Sequence, residues 1–376
     1  MTSSAQLLRD LIALPSVNPA FMPAHDPQAG EHRVADYLAS VAAQGGLDID
    51  FQEVLPKRRN LFARLRPSGR VTRRILLAPH MDTVGLASNS QLNPVEKNGR
   101  LYGRGACDTK GSVAAMLTAL LQVAESGRRP ANTEIVFIGL IDEENNQSGS
   151  RAVAKSGLKA NLAIVGEPTR LQVVTAHKGD LWLSLESRGK AAHGARPELG
   201  RNAVHEMARI VDLLETTYRR QLKKHRHPLL GHPTINVGSI RGGTQPNIVP
   251  DRCEISIDRR TLPGETEAGV RREILALLKT HGLAARIGNN KGADCLALET
   301  NPGLPLVRQL LGLARQTKPI GVHYFCDASV LSAGGIPSIV FGPGDIAQAH
   351  TVDEWISLTS LERATALLTR FLRSLD

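Results

Sequence analysis

Several histidines and acids sit where apolar runs end. The run Arg74–Pro79, "RILLAP", stops on His80 and, two residues on, Asp82. "TEIVFIGLIDEE" (133–144) finishes on Asp142, Glu143 and Glu144, and "LAIV" leads into Glu167. His350 closes "SIVFGPGDIAQAH", and Asp108 lies in the loop "GRGACDTKG" just before a helical pattern. Each residue alone has an ordinary reading: a surface histidine, a helix cap or a solvated acid. Together, His80, Asp108, Glu143, Glu144, Glu167 and His350 mark the ends of several core segments. Adjacent carboxylates gathered there repel one another and resist burial without cations. Two imidazoles with several carboxylates form a donor set suited to zinc or a similar divalent ion, and a pair of ions could share one carboxylate and one water.

The elements that must position these groups follow from the apolar pattern. Up to about residue 176, strand-like runs (60–67, 74–79, 133–144, 161–169) alternate with helical ones, including 111–126. The same texture returns at 336–344 and in a closing helix at 360–375. Near-continuous apolar strands between helices predict an α/β fold: an open, mainly parallel twisted sheet with helices on both faces. Ligands of such sheets bind beyond the carboxyl ends of the strands, where these residues fall. In the middle, 180–189 and 253–262 alternate apolar and polar residues, as strands with one wet face do. Helical patterns run from about 202 to 224 and from 265 to 280, and 284–290 reads as a last strand. This predicts a smaller α+β domain at 177–290 inserted into a discontinuous domain of 1–176 and 291–376.

Composition narrows the class. The chain has 376 residues, 41% of them hydrophobic, enough for one or two cores. Its formal charge is +10, yet the basic residues are scattered except in "YRRQLKKHRHP" (218–228), which reads as a solvated helix face. Aromatics at 3% leave few stacking platforms for bases, so no nucleic-acid partner is expected. The four cysteines form no Cys-x-x-Cys pair, which fits a reduced cytoplasmic setting. No run spans a membrane, and the first residues read as an amphipathic helix through Leu7, Leu8, Leu11 and Ile12 rather than a signal. "GRGACDTKGS" fails as a phosphate loop, since Asp108 takes the third glycine position of Gly-x-Gly-x-x-Gly and Thr109 precedes Lys110.

The stretches "HMDTV", "GRGACDTKG", "DEE", "GEPT", "AHGARPELGRNAV", "GGTQPNIVPD", "DRRTLPGE" and "GPGDIAQAHTVDEW" stand in the order found in the M20 family of dinuclear metal amidohydrolases and peptidases. The chain resembles that family from about residue 5 to 375. The resemblance implies two Zn2+, with Co2+ or Mn2+ as substitutes. His80 and Glu167 would bind one ion, Glu144 and His350 the other, and Asp108 would bridge them. It implies Asp82 as acceptor of the other ring N–H of His80, Glu143 as general base and His193 as oxyanion donor in a partner subunit's site. It also implies Asn247 and Arg259 as substrate contacts, with neighbouring Arg260 the alternative, and Gly242 and Gly243 as points of close backbone approach. The inserted domain would be a lid and dimerisation unit of a homodimer. The expected reaction is hydrolysis of the amide of a small N-acylated amino acid. Within the family, "GPGDIAQAH" is most like the acetylornithine deacetylase branch. Succinyl-diaminopimelate desuccinylases and aminoacylases or dipeptidases are the alternatives, and a non-catalytic binding protein is disfavoured by the complete donor set.

Overall fold

The computed structural model describes residues 3–127, 129–291 and 294–375. The chain divides into two compact units: Met1–Thr175 with Thr300–Ile320 and Cys326–Asp376, and Ala176–Glu299 with Gly321–Phe325. The second unit therefore reaches past the expected 177–290 span, taking Ala176, Lys291, 294–299 and 321–325 from the region read as catalytic domain.

In the first unit, Thr133–Gly139, Arg73–Pro79, Leu162–Gly166 and Ser338–Val340 lie side by side and all parallel. Arg58–Leu65 adds to Thr133–Gly139 antiparallel, and Asp48–Leu55 adds to Arg58–Leu65. Register aligns the strand ends: Pro79 faces Gly166, and His80 bridges Leu140. The strands are shorter than the apolar runs suggest, because the runs 133–144 and 336–344 leave the sheet to form the loops that carry the acids and His350.

Side chains alternate across this sheet. Ile75, Leu77, Ile135, Phe137 and Ile164 join one apolar cluster with Leu7, Leu8, Leu11 and Ile12 of the first helix, with helix Lys110–Glu125 and with Leu358–Arg373. Helix Lys110–Glu125 is buried from Lys110 through Leu121, which is why its sequence is almost wholly apolar and small. On the other face pack Ser148–Lys155 and Asp327–Ala333. A full burial of each Leu or Ile contributes about 1.5–3 kcal/mol, so this core holds the strand ends firmly. A small separate sheet pairs Trp355–Ser357 with Arg100–Tyr102, bringing the segment after His350 beside the Asp108 loop. Among the described residues no helix is long and apolar enough to cross a membrane.

The second unit is a four-stranded antiparallel sheet in the order Thr234–Gly242, Arg252–Thr261, Gly179–Arg188, Arg286–Asn289. Helices Ala203–Leu213 and Glu267–Thr280 cover one face, meeting Leu181, Leu183, Leu185, Ile255 and Ile257. The strands Asp48–Leu55 and Thr234–Gly242 have no counterpart among the sequence-based expectations.

Candidate active site

His80 follows Arg73–Pro79 and is buried; its Nε2 lies 3.2 Å from Asp108 Oδ1 and 3.8 Å from Glu167 Oε1. His350 has a left-handed backbone (φ 63°), and its Nε2 is 3.2 Å from Asp108 Oδ2 and 3.2 Å from Glu144 Oε2. Asp108 thus turns one oxygen to each imidazole. Donor atoms of His80, Asp108 and Glu144 fall within 4.8 Å of one another. All six residues collected from the strand ends belong to the first unit.

The charge balance is acid-rich. Glu143 and Glu167 are pushed well above the usual carboxylate range, first by burial and then by each other's neighbourhood of acids. Glu144 is raised by burial and by Asp108, although His350 opposes the shift. Asp108 is held below its ordinary value, since hydrogen bonds from His350 and His80 outweigh its burial. His350 is raised to about 10 by its bonds to Asp108 and Glu144. His80 is raised despite burial, by Asp108, Asp82 and Glu167. Protons on both rings supply the positive charge that the carboxylates demand. A divalent cation meets the same demand with the rings neutral. Glu144 Oε1 and Glu167 Oε1 are buried with no hydrogen-bond partner, the condition of oxygens shaped for an ion. The donor set and these orphaned oxygens fit a divalent metal centre.

Asp82 does more than face His80. His80 Nδ1 is 3.0 Å from the Asp82 carbonyl and 3.5 Å from its carboxylate. The carboxylate accepts the backbone N–H groups of Glu143 and Glu144, at 3.1 Å each, and the Asn18 amide at 2.7 Å. Asp82 therefore fixes the turn that aims the Glu pair. That turn starts at Asp142, which is left-handed (φ 65°) and held by Asn18 and Arg58. Arg58 is anchored in turn by Glu31. The carboxylate of Glu143 has no hydrogen-bond partner among the described residues, so it stays free beside its anchored neighbour.

Several supporting residues escaped the reading of the sequence. Glu354 is 2% exposed, and its carboxylate accepts Arg104 Nη1 and the N–H groups of Gly105, Cys107 and Asp108 at 2.8–3.0 Å. Buried Asp327 accepts from Ser150 and is raised to about 7 by burial. Lys110 donates to the carbonyls of Leu11 and Leu14, tying the first helix to the Asp108 loop. Glu354 was visible in "HTVDEW", but only as a letter beside a candidate ligand.

In the second unit, His193 and Asn247 are neighbours: Gly194 N–H donates to the Asn247 carbonyl at 2.7 Å, and His193 bridges Ile248. Both side chains are exposed. His193 Nδ1 accepts the N–H of Ala195, which leaves Nε2 to donate. A Cβ on Gly194 would lie 2.9 Å from the Asn247 backbone, so this approach requires glycine.

The expected substrate contact at Arg259 is at odds with its surroundings. Arg259 is buried, with 0% exposure, and its guanidinium is taken up by Glu265, the Arg260 carbonyl and Tyr218. A substrate carboxylate would have to displace Glu265, so Arg259 is a core residue. Arg260 is the accessible one, though it pairs with Asp258. Strand parity explains this: Cys253, Ile255, Ile257 and Arg259 share the helix-covered face, a signal already present in "CEISIDRR". Gly242 also has a packing reason, since a Cβ there would meet Cys253 Sγ at 2.6 Å.

Comparison with known proteins places the chain. The model of "Peptidase family M20/M25/M40" matches residues 76–374, and the chain belongs to that family. It is an enzyme of the family's peptidase and amidohydrolase type. Acetylornithine deacetylase of Proteus mirabilis is 32% identical over 96% of this chain and 94% of its own length. The acetylornithine deacetylase of Myxococcus xanthus is 32% identical over 89% and 90%. Among solved structures, aminopeptidase PepT of Bacillus cereus superposes with a TM-score of 0.79 at 22% identity, covering 98% of this chain and 97% of its own. A dinuclear metal binding peptidase of the M20 family from Bacillus subtilis gives 0.71 at 13% identity, covering 98% and 96%.

Proposed function

We propose that this chain is a dinuclear zinc amidohydrolase that cleaves an N-acylated amino acid, with N-acetylornithine as substrate. The acyl-amino-acid reading is supported by the two deacetylase relatives that match nearly end to end. The metal reading is carried by one observation: Asp108 turns an oxygen to each of two imidazoles, beside orphaned oxygens on Glu144 and Glu167. His80 and Glu167 would hold one ion, Glu144 and His350 the other, and Asp108 would bridge. Zinc fits this mixed imidazole and carboxylate set, with cobalt or manganese as substitutes. Bound there, the ions would acidify a water and polarise the amide carbonyl.

The chain's own groups do the rest. Glu143, unpaired and beside the ligands, takes a proton from the attacking water and returns it to the leaving nitrogen. Burial raises its proton affinity, which suits a base that must later act as an acid. Asp82 holds Glu143 and Glu144 in place through their N–H groups. His193 donates from Nε2 to the developing oxyanion. It would do so across a homodimer, with the second unit as lid and dimerisation unit. Asn247 and Arg260 would contact the substrate, and the setting is cytoplasmic.

The test is amine release by the zinc-loaded protein across N-acetylornithine, N-succinyl-diaminopimelate, other N-acyl amino acids and dipeptides. N-acetylornithine should stand well above the rest and be silent with Glu143→Ala, which should retain its metal. Preference for a dipeptide or the succinyl substrate would overturn the substrate assignment. Full activity after complete metal removal would overturn the mechanism.

A further inference from the structure

The first unit also carries a concavity of about 480 Å³ outside the acid-rich centre, lined by Arg170, Gln172, Arg315, Gln316, Arg363 and Arg370 with a floor of Leu and Ala. Four exposed arginines line it and no carboxylate does. Arg170 pairs with Asp345. Arg315, Arg363 and Arg370 make no side-chain hydrogen bond or ion pair among the described residues. Like charges focused in a concavity repel one another and raise the local potential, so an anion is attracted strongly.

The walls are built rather than loose. Arg170, Leu171 and Arg315 all have left-handed backbones (φ 55°, 62° and 55°), although none is glycine. Such residues persist only where neighbours hold them. Here Arg170 and Leu171 donate their N–H groups to Gly344 and Gly342 at 2.8 and 3.0 Å. Gln316 Oε1 accepts Val173 N–H at 2.8 Å, joining the two loops. Two chain segments remote in sequence thus each contribute an arginine to the lining of the same hollow. The third wall is helix Leu358–Arg373, where Arg363 and Arg370 stand seven residues apart, on one face and about 10 Å apart along the axis. Guanidinium forks match phosphate oxygens in pairs.

We propose that this hollow is an anion site for a small metabolite with two separated phosphate groups. The spacing of Arg363 and Arg370 sets the separation, and Arg315 closes on the phosphates from the opposite loop, with Arg170 held by Asp345 at the rim. Occupancy would rest on the loops that continue to Glu167 and toward His350, because Arg170 lies three residues beyond the one and Asp345 five before the other.

The probe is fructose 1,6-bisphosphate, whose phosphates are separate, titrated calorimetrically into the full chain. Inorganic phosphate and citrate serve as comparison anions, and no step depends on catalysis. One saturable site per chain is expected, tighter for the bisphosphate than for either comparison anion. Arg363→Glu with Arg370→Glu should abolish it. Arg370→Gln alone should weaken it about tenfold, the usual loss of one charge-assisted pair. Lys223→Glu with Lys224→Glu, in the other basic cluster, should leave it unchanged. Absence of saturable binding in the wild type, survival in the double reversal of a variant that melts normally, equal loss in the Lys223/Lys224 variant, or tighter citrate binding would each overturn the proposal.

Discussion

Replacing Glu354 by Gln tests how the centre is held. The two residues have nearly the same shape, so the change is electronic. Glu354 Oε2 accepts Arg104 Nη1 and Gly105 N–H, and Oε1 accepts Cys107 and Asp108 N–H. A glutamine amide in either orientation presents its NH2 to two donors. Two of the four hydrogen bonds are therefore lost, and Arg104 loses its counter-charge in a site where Glu354 is 2% exposed. Orphaned buried donors and a broken buried ion pair together cost about 3–5 kcal/mol. A domain of typical stability stays folded after such a loss. The Asp108 N–H is among the four donors, 246 residues away in the chain, so the carboxylate it carries loses its fixed position. Loss of an outer support of this kind lowers metal affinity about 10–100-fold. Urea unfolding of the metal-free protein measures the first effect, and competition against a chelating dye measures the second. Stability lost with metal affinity unchanged would refute the claim that Glu354 positions Asp108. Unchanged stability would refute the reading of the hydrogen bonds themselves.

His350 predicts a pH effect in the metal-free protein. Its folded value, about 10, lies above its ordinary value of 6.5. It therefore contributes stability that is fully present below pH 6.5 and lost as pH rises through about 10. The stability advantage of wild type over His350→Asn, from urea unfolding with chelator, should shrink across that window; a constant difference would contradict it. Arg259→Met should destabilise the protein by leaving Glu265 without its partner, whereas Arg260→Met should raise KM with little change in melting temperature. The reverse pattern would restore Arg259 as the substrate contact. Lys110→Met should cost about 1–3 kcal/mol for each of the two carbonyls it leaves unpaired, read by denaturant unfolding.

The local part of this protein was legible in its residues. Runs such as Arg74–Pro79 and Leu162–Val165 are strands because they are buried on both faces, and burial writes itself as an unbroken apolar string. Where such strings break, the chain turns to histidine and acid, so the candidate ligands could be collected before any geometry was known. The edge strands Asp48–Leu55 and Thr234–Gly242 were missed because neither has a fully buried face, and their sequences show no clean period. Arg259 shows the limit differently: its face is set by strand parity, and its partner Glu265 by the fold of the following turn. Pairings across long separations, Glu354 with the Asp108 loop or Asn18 with Asp82 and Asp142, leave no trace in any local window. Composition and periodicity report what each segment must bury. Only the folded chain decides which distant polar groups meet, because hydrogen bonds depend on positions that the whole packing sets at once.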